Sequence, residues 1–215
     1  MLSIIIPAYN EENYIGRCLQ SLSQQSYRDF ETIVVCNGCT DRTCEIARNL
    51  GSKVIEIQEK GIVLARNVGA NEALGETLLF LDADTHFHEN DALERMMSFG
   101  IDQGTFFALP NHFRLKYRLY LVFRNILVRL GGINGALFCK KSYFDMVGGF
   151  SESSHPTENR NLLRRLNRFG KFGVVDAYVV TSMRRYECRG FFSVAVYWLR
   201  ILLFGKKKNP YEDVR

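Results

Sequence analysis

An apolar run that ends abruptly in two carboxylates, Leu78-Leu79-Phe80-Leu81-Asp82-Ala83-Asp84, is the segment of this chain best equipped for chemistry. In an extended chain Asp82 and Asp84 fall on the same side. Two like charges that close repel unless a cation lies between or beside them. Hard oxygen donors suit Mg²⁺ or Mn²⁺. An ion held there would bridge to a diphosphate and stabilise its departure. The plainer alternative is a solvated turn in which Asp84 starts the next helix. His86 and His88 continue the alternation, but they read as polar loop residues and stay outside the ligand set.

The carboxylates need a strand beneath them, and the first half of the chain supplies strands and helices in alternation. Residues 2–6 form a short apolar run, as in a buried parallel strand that Pro7 ends. Ile15, Cys18, Leu19 and Leu22 then share one helical face. Residues 32–35 read as a second strand, turned by Asn37-Gly38, and Thr40 or Asp41 can cap a helix running to Leu50. Residues 53–57 and 77–81 read as strands around a helix over 61–74. This order predicts consecutive βαβ units in a doubly wound, parallel sheet. Ligands of such sheets bind beyond the carboxyl ends of the strands. In the second half, 105–109, 136–139 and 174–180 read as strands and 159–169 as a helix. No repeat or linker divides residues 1–215, which are expected to form a single domain.

A hydrophobic share of 47% against 24% charged residues excludes wholesale disorder. The net charge of +5 hides an asymmetry. Residues 1–102 carry 8 Lys/Arg and 16 Asp/Glu, net −8, while 103–215 carry 20 and 7, net +13. An acidic half suits a cation and a basic half suits anions. Nucleic acid is set aside as a partner: no recognised module is present, and the acidic half would repel the backbone. The lack of G-x-x-x-x-G-K-[ST], H-E-x-x-H and G-x-S-x-G motifs leaves kinase, zinc protease and serine hydrolase without support. Met1-Leu2-Ser3 leads straight into a strand with no signal-peptide pattern, and the six cysteines are scattered. Both features predict a reduced, cytoplasmic protein.

Four segments together resemble the family 2 glycosyltransferases of the GT-A fold. They are Ser3-Ile4-Ile5-Ile6-Pro7-Ala8-Tyr9-Asn10-Glu11-Glu12, then Val34-Val35-Cys36-Asn37-Gly38-Cys39-Thr40-Asp41, then Ala65-Arg66-Asn67-Val68-Gly69 with Asp82-Ala83-Asp84, and Val147-Gly148-Gly149-Phe150 before a basic helix. The resemblance implies a Rossmann-like, mostly parallel sheet flanked by helices. Residues 1–102 would form the half that binds nucleotide sugar and metal, and 103–190 the acceptor-side half. The donor would be a nucleotide-diphosphate sugar and the cofactor a divalent cation, Mg²⁺ or Mn²⁺. By the same resemblance Pro7, Ala8, Tyr9 and Glu11 border the nucleoside and Asn37 faces the base. Arg66 sits near the nucleotide, Asp82 approaches ribose and metal, and Asp84 ligates the metal. Transfer would invert the anomeric centre by direct displacement. A nucleotidyltransferase would share the sheet, but it normally carries a Gly-rich basic loop where this chain has Pro7-Ala8-Tyr9-Asn10.

Two positions depart from the family pattern. Cys36 stands where a carboxylate usually helps read the base. Thr157-Glu158-Asn159 stands where the family commonly has Glu-Asp, the Asp serving as general base. Asn159 cannot take a proton at neutral pH. Glu158 would then be the base, or an anionic acceptor such as a lipid phosphate would need none, or the chain binds nucleotide sugar without efficient transfer.

Three further features carry weight. Arg184, after Thr181-Ser182, is placed to clamp a donor diphosphate or an acceptor phosphate, or else is a solvated strand end. Residues 113–130 contain five basic and no acidic side chains, with Leu115, Leu119, Val122, Ile126 and Leu130 on one stripe. Such a helix either packs on the core or lies on an anionic membrane. Residues 191–204 are almost wholly apolar, and Lys206-Lys207-Lys208 follows. Fourteen helical residues reach only about 21 Å, too short for a hydrocarbon core of ~30 Å. The pattern fits peripheral contact with a membrane or a buried helix. Cys36-Asn37-Gly38-Cys39 with Cys44 invites a metal or redox reading, which the lack of a second ligand pair sets aside.

Overall fold

In the computed structural model, which describes residues 1–129, 132–151, 157–194 and 196, one mixed eight-stranded sheet organises the chain. Its strands are β1 (Leu2–Ala8), β2 (Phe30–Asn37), β3 (Lys53–Ile57), β4 (Thr77–Leu81), β5 (Thr85–Phe87), β6 (Gln103–Pro110), β7 (Ala136–Lys140) and β8 (Phe172–Thr181), in the order β3-β2-β1-β4-β7-β6-β8-β5. β1 to β4 pair in parallel, as the βαβ spacing predicts. β7 runs antiparallel to both β4 and β6, so the sheet is mixed beyond its first half.

The helices are α1 (Ile15–Ser23), α2 (Thr43–Asn49), α3 (Ile62–Asn71), α4 (Ala92–Ser98), α5 (Leu115–Val128), α6 (Lys141–Met146), α7 (Glu158–Leu166) and α8 (Arg184–Arg189). Strand alternation splits the core in two. Ile4, Ile6, Val34, Leu79 and Leu81 face α1 and α4 on one side of the sheet. Ile5, Ile33, Val35, Leu78 and Phe80 face α3 and α7 on the other. α3 lies very close to the sheet. A Cβ on Gly69 would overlap Ile5 Cγ2 and stand 3.1 Å from Val35 Cγ2. That approach fixes the height of Arg66 above the strands.

Pro7 does not end β1, which continues to Ala8. β4 pairs only with residues 2–5 of β1, so Pro7 lies past that register and its missing N–H breaks no ladder on that side. The segment after β4 is also not extended. Thr85 N donates to Asp82 O at 3.0 Å, closing a tight turn that leads into β5. The stripe on α5 is inverted relative to a core-packing helix. Tyr117, Leu121 and Val128 are buried, whereas Leu115, Leu119, Val122 and Ile126 are exposed. Leu130 lies outside the described residues, as do 197–208 of the apolar and basic terminal stretch. Among the described residues no helix is long and apolar enough to cross a membrane.

Candidate active site

The carboxyl ends of β1, β2 and β4 gather the candidate residues into two connected clusters. The first centres on Arg66, in the middle of α3, whose side chain is only 4% exposed. Arg66 Nη2 donates to Asp82 Oδ1 at 2.9 Å, and Nη1 donates to Asn159 Oδ1 at 2.9 Å. Nη1 also lies 3.4 Å from Glu158 Oε1. A planar guanidinium is suited to this, because its fork serves several acceptors in fixed directions. One residue thus ties the rim of β4 to the first turn of α7.

The surroundings hold that geometry. Asn67, next to Arg66, clamps the main chain of Phe150 with two hydrogen bonds, donating from Nδ2 to Phe150 O at 3.0 Å and accepting from Phe150 N at 2.9 Å. The Phe150 ring packs 5.1 Å from the Arg66 guanidinium. Gly148 and Gly149, at φ +72° and +68°, make the turn that delivers Phe150. From α7, Arg165 donates to Val147 O and Gly149 O, each at 2.6 Å. So α3, the Gly-Gly turn and α7 close a ring around Arg66.

The second cluster joins Glu11, Asp84 and Arg184. Arg184 Nη2 pairs with Glu11 Oε1 and lies 3.3 Å from Asp84 Oδ2, with its guanidinium 4.6 Å from the Tyr14 ring centre. The tight turn therefore sends Asp82 and Asp84 to different arginines, where an extended chain would have aligned them. Their fields still converge. The Cys18 thiol, buried on α1, is pushed up first by burial and then by the negative charges of Asp84, Asp82 and Glu11.

The loop after β1 is fastened to the β2–α2 turn. Asn10 is the one non-glycine with positive φ among the described residues, at 52°, and its Oδ1 accepts from Thr40 N at 2.8 Å. Asp41 accepts from Glu12 N at 3.1 Å and Thr43 N at 3.0 Å. Burial raises the Asp41 pKa, but the hydrogen bonds from Thr43 and the Glu12 backbone outweigh it and hold the carboxyl below its usual range. Pro7 and Ala8 are buried as wall. Tyr9 Oη accepts from Lys60 Nζ at 2.6 Å.

Asn37 sits where β2 ends. It is buried, its Nδ2 donates to Ala8 O at 2.8 Å, and its Oδ1 accepts from Gly61 N at 3.3 Å. The amide braces β1 against the start of α3. Sequence reasoning missed Lys60, Tyr14 and Asn67. Asn67 sat inside a recognised motif without a role. Lys60 and Tyr14 carried no signal, because only the fold brings them to Tyr9 and Arg184.

At this rim Asp82 is turned to Arg66 while Asp84 and Glu11 share Arg184, so a hard divalent cation would have to take the place of the Arg184 contacts. Asp82, Asp84 and Glu11 supply oxygen donors in one region, and Glu11 Oε2 is buried with no hydrogen-bond partner among the described residues. His86 lies to one side on β5, its pKa lowered by burial and then by Arg17 and His88.

The sequence model of glycosyl transferase family 2 matches residues 3–187. The chain belongs to glycosyl transferase family 2. An uncharacterized glycosyltransferase of Haemophilus influenzae is 36% identical to this family 2 chain over 126 residues, 56% of this chain and 47% of that protein. Glycosyltransferase GlyA of Streptococcus pneumoniae is 28% identical over 175 residues, 79% of this chain and 24% of its own length. The family 2 chain thus spans less than half the length of these curated relatives. Staphylococcus aureus TarS 1–349, solved with UDP, superposes with a TM-score of 0.70 at 22% identity, covering 85% of this chain and 60% of that one. The mannosyltransferase PcManGT of Pyrobaculum calidifontis, solved with GDP-Man and Mn²⁺, gives 0.73 at 18% identity, covering 94% and 61%. The fold shared with these structures is GT-A.

Proposed function

We propose that this chain transfers a sugar from a nucleotide-diphosphate sugar to a lipid-phosphate or glycan acceptor, with inversion. The observation that carries this reading is Arg66, which joins Asp82 on the donor rim to Glu158 and Asn159 on the acceptor side. Pro7, Ala8, Tyr9 and Glu11 would wall the nucleoside, with Lys60 beside Tyr9. Arg184 would exchange its carboxylate partners for donor phosphate oxygens, which suit a guanidinium fork. Asp82 and Asp84, with Glu11 close by, would hold Mg²⁺ or Mn²⁺. Such an ion neutralises charge on a departing diphosphate. Structures of TarS with UDP-GlcNAc and of PcManGT with GDP-Man support a nucleotide-sugar donor.

Glu158 is buried and held by Arg66, and Asn159 is the acceptor of another bond from the same guanidinium. That arrangement favours an acceptor already anionic over one needing deprotonation. It also keeps a second reading open, in which the chain binds nucleotide sugar without efficient transfer. A donor-consumption assay with and without lipid phosphate separates the two. Turnover supports transfer, and saturable binding without turnover supports the second reading.

The exposed face of α5 supports peripheral attachment to an anionic lipid surface on the cytoplasmic side. Phe113, just before the helix, and Leu119 and Phe123 on it protrude, with Arg114, Lys116 and Arg118 near its start and no acidic residue between 113 and 129. Apolar protrusion beside cations is the pattern that binds acidic bilayers.

A further inference from the structure

We infer that Cys36, Cys39 and Cys44 form a binding site for one thiophilic cation, Zn²⁺ or a chemically similar d¹⁰ ion, in the β2–α2 turn. Spacing alone suggests only a pair with a neighbour, because the three ligands come from three kinds of backbone. Cys36 is near the end of β2, Cys39 follows the Gly38 turn at φ +72°, and Cys44 is the second residue of α2. The fold brings the three sulfurs within 4.8 Å of one another. Zinc–thiolate bonds of ~2.3 Å in a tetrahedral site place sulfurs about 3.8 Å apart, so the longest edge needs to close by only about 1 Å.

The surroundings suit a site with three protein ligands and one open position. Cys36 and Cys44 are buried and would cover the inner side of the ion. Cys39 is half-buried and leaves a path from solvent. Soft thiolates favour Zn²⁺ and its relatives over the hard ions suited to Asp82 and Asp84. Three thiolates around a divalent ion leave one net negative charge, and Arg48 on α2 is ion-paired with Glu56 and acts on the Cys44 and Cys36 sulfurs only secondarily. The remaining cysteines are separate: Cys18 and Cys139 are buried, and Cys188 is exposed on α8.

Loading this site would re-anchor the turn. Cys39 Sγ now donates to Ala8 O at 3.3 Å, a bond the metal-bound sulfur gives up. Ala8 O keeps the bond from Asn37 Nδ2 at 2.8 Å. Binding as three thiolates releases the three thiol protons to solvent, and no oxidant or reductant is needed. The site stands whether or not the donor reading holds.

The test uses the full chain, reduced and stripped of metal, titrated with Cd²⁺ as a spectroscopic stand-in for Zn²⁺. Thiolate-to-metal charge-transfer absorption should saturate at one equivalent and be displaced by added Zn²⁺. Cys39→Ser, in the half-exposed turn, and Cys44→Ser should each weaken binding by ~10-fold or more, whereas Cys188→Ser should leave it unchanged. Far-UV circular dichroism confirms folding, and Cys39→Ser decides the outcome if Cys44→Ser does not fold. No charge-transfer band in the reduced wild-type chain, or a band unaltered in Cys39→Ser, overturns the proposal. Hard-oxygen binding at Asp82 and Asp84 gives no such band, so the two sites are read apart.

Discussion

Arg66 Nη2 donates to Asp82 Oδ1 at 2.9 Å from the middle of α3, within a guanidinium that solvent barely reaches. Because its other terminal nitrogen serves Asn159 and Glu158, this one contact couples the end of β4 to the start of α7.

Replacing the fork should therefore cost both stability and activity. Arg66→Met removes the buried guanidinium from Asp82, Asn159 and Glu158 together, and breaking a buried pair typically costs about 3–5 kcal/mol. Arg66→Lys keeps the charge but offers one point donor in place of two terminal nitrogens, so transfer should fall by about 100-fold with a smaller loss of stability. Urea denaturation and donor-consumption kinetics measure the two effects. A stability change below about 1 kcal/mol in Arg66→Met would contradict the coupling.

Asn67 should matter without touching substrate. Its two hydrogen bonds hold the main chain of Phe150, on which Arg66 packs. Asn67→Ala leaves a backbone N–H and C=O unpaired at a partly buried site, at a cost of about 1–3 kcal/mol. Asn67→Asp keeps the acceptor for Phe150 N and should fall between the two. Equal stability of the alanine variant and the wild type would remove the clamp from the account.

Acid should loosen the β2–α2 turn through Asp41. Its carboxyl titrates below the ordinary 3.8 in the folded chain, because Thr43 and the Glu12 backbone bond the charged form. A depressed carboxylate contributes its full stability above the unfolded pKa and loses it as pH falls through the folded one. The Asp41 contribution should thus be flat above pH 3.8 and decline below it. Urea midpoints of wild type and Asp41→Asn should converge as pH falls toward about 2. A gap that stays constant through that range would refute the assignment.

Liposome flotation tests the face of α5. The chain should float with vesicles containing anionic lipid and much less with neutral ones. Leu119→Glu with Phe123→Glu, both exposed, should abolish flotation without lowering Tm. Binding unchanged by that double variant would place the lipid contact elsewhere.

The parallel half of the fold was legible because its strands are continuous apolar runs at βαβ spacing. β5 was not, since three residues after a turn carry no period, and Asp82-Ala83-Asp84 reads as extended until Thr85 N closes the turn. Helical period placed Leu115, Leu119, Val122 and Ile126 together, but period does not say which face the core covers, and here it covers Tyr117 and Leu121. Among the site residues, Arg66 and the two aspartates were visible from their motifs. The partners that fix them, Glu158 for Arg66 and Glu11 for Arg184, lie 92 and 173 residues away in sequence, and only tertiary structure supplies such pairings. The thiol cluster is visible in the sequence as Cys36-Asn37-Gly38-Cys39 with Cys44, but the want of a second ligand pair sets it aside there, because spacing does not show that the fold brings all three sulfurs within 4.8 Å of one another.

The central claim is that Asp82 and Asp84, backed by Arg66 and Arg184, hold the diphosphate of a nucleotide sugar with a divalent cation. Calorimetric titration of UDP- and GDP-sugars with and without Mn²⁺, on wild type and Asp82→Asn/Asp84→Asn, tests it directly. The account predicts saturable binding of one donor to the wild type, strengthened by Mn²⁺ and lost in the double variant. Donor binding that is indifferent to both the ion and the two substitutions would contradict it.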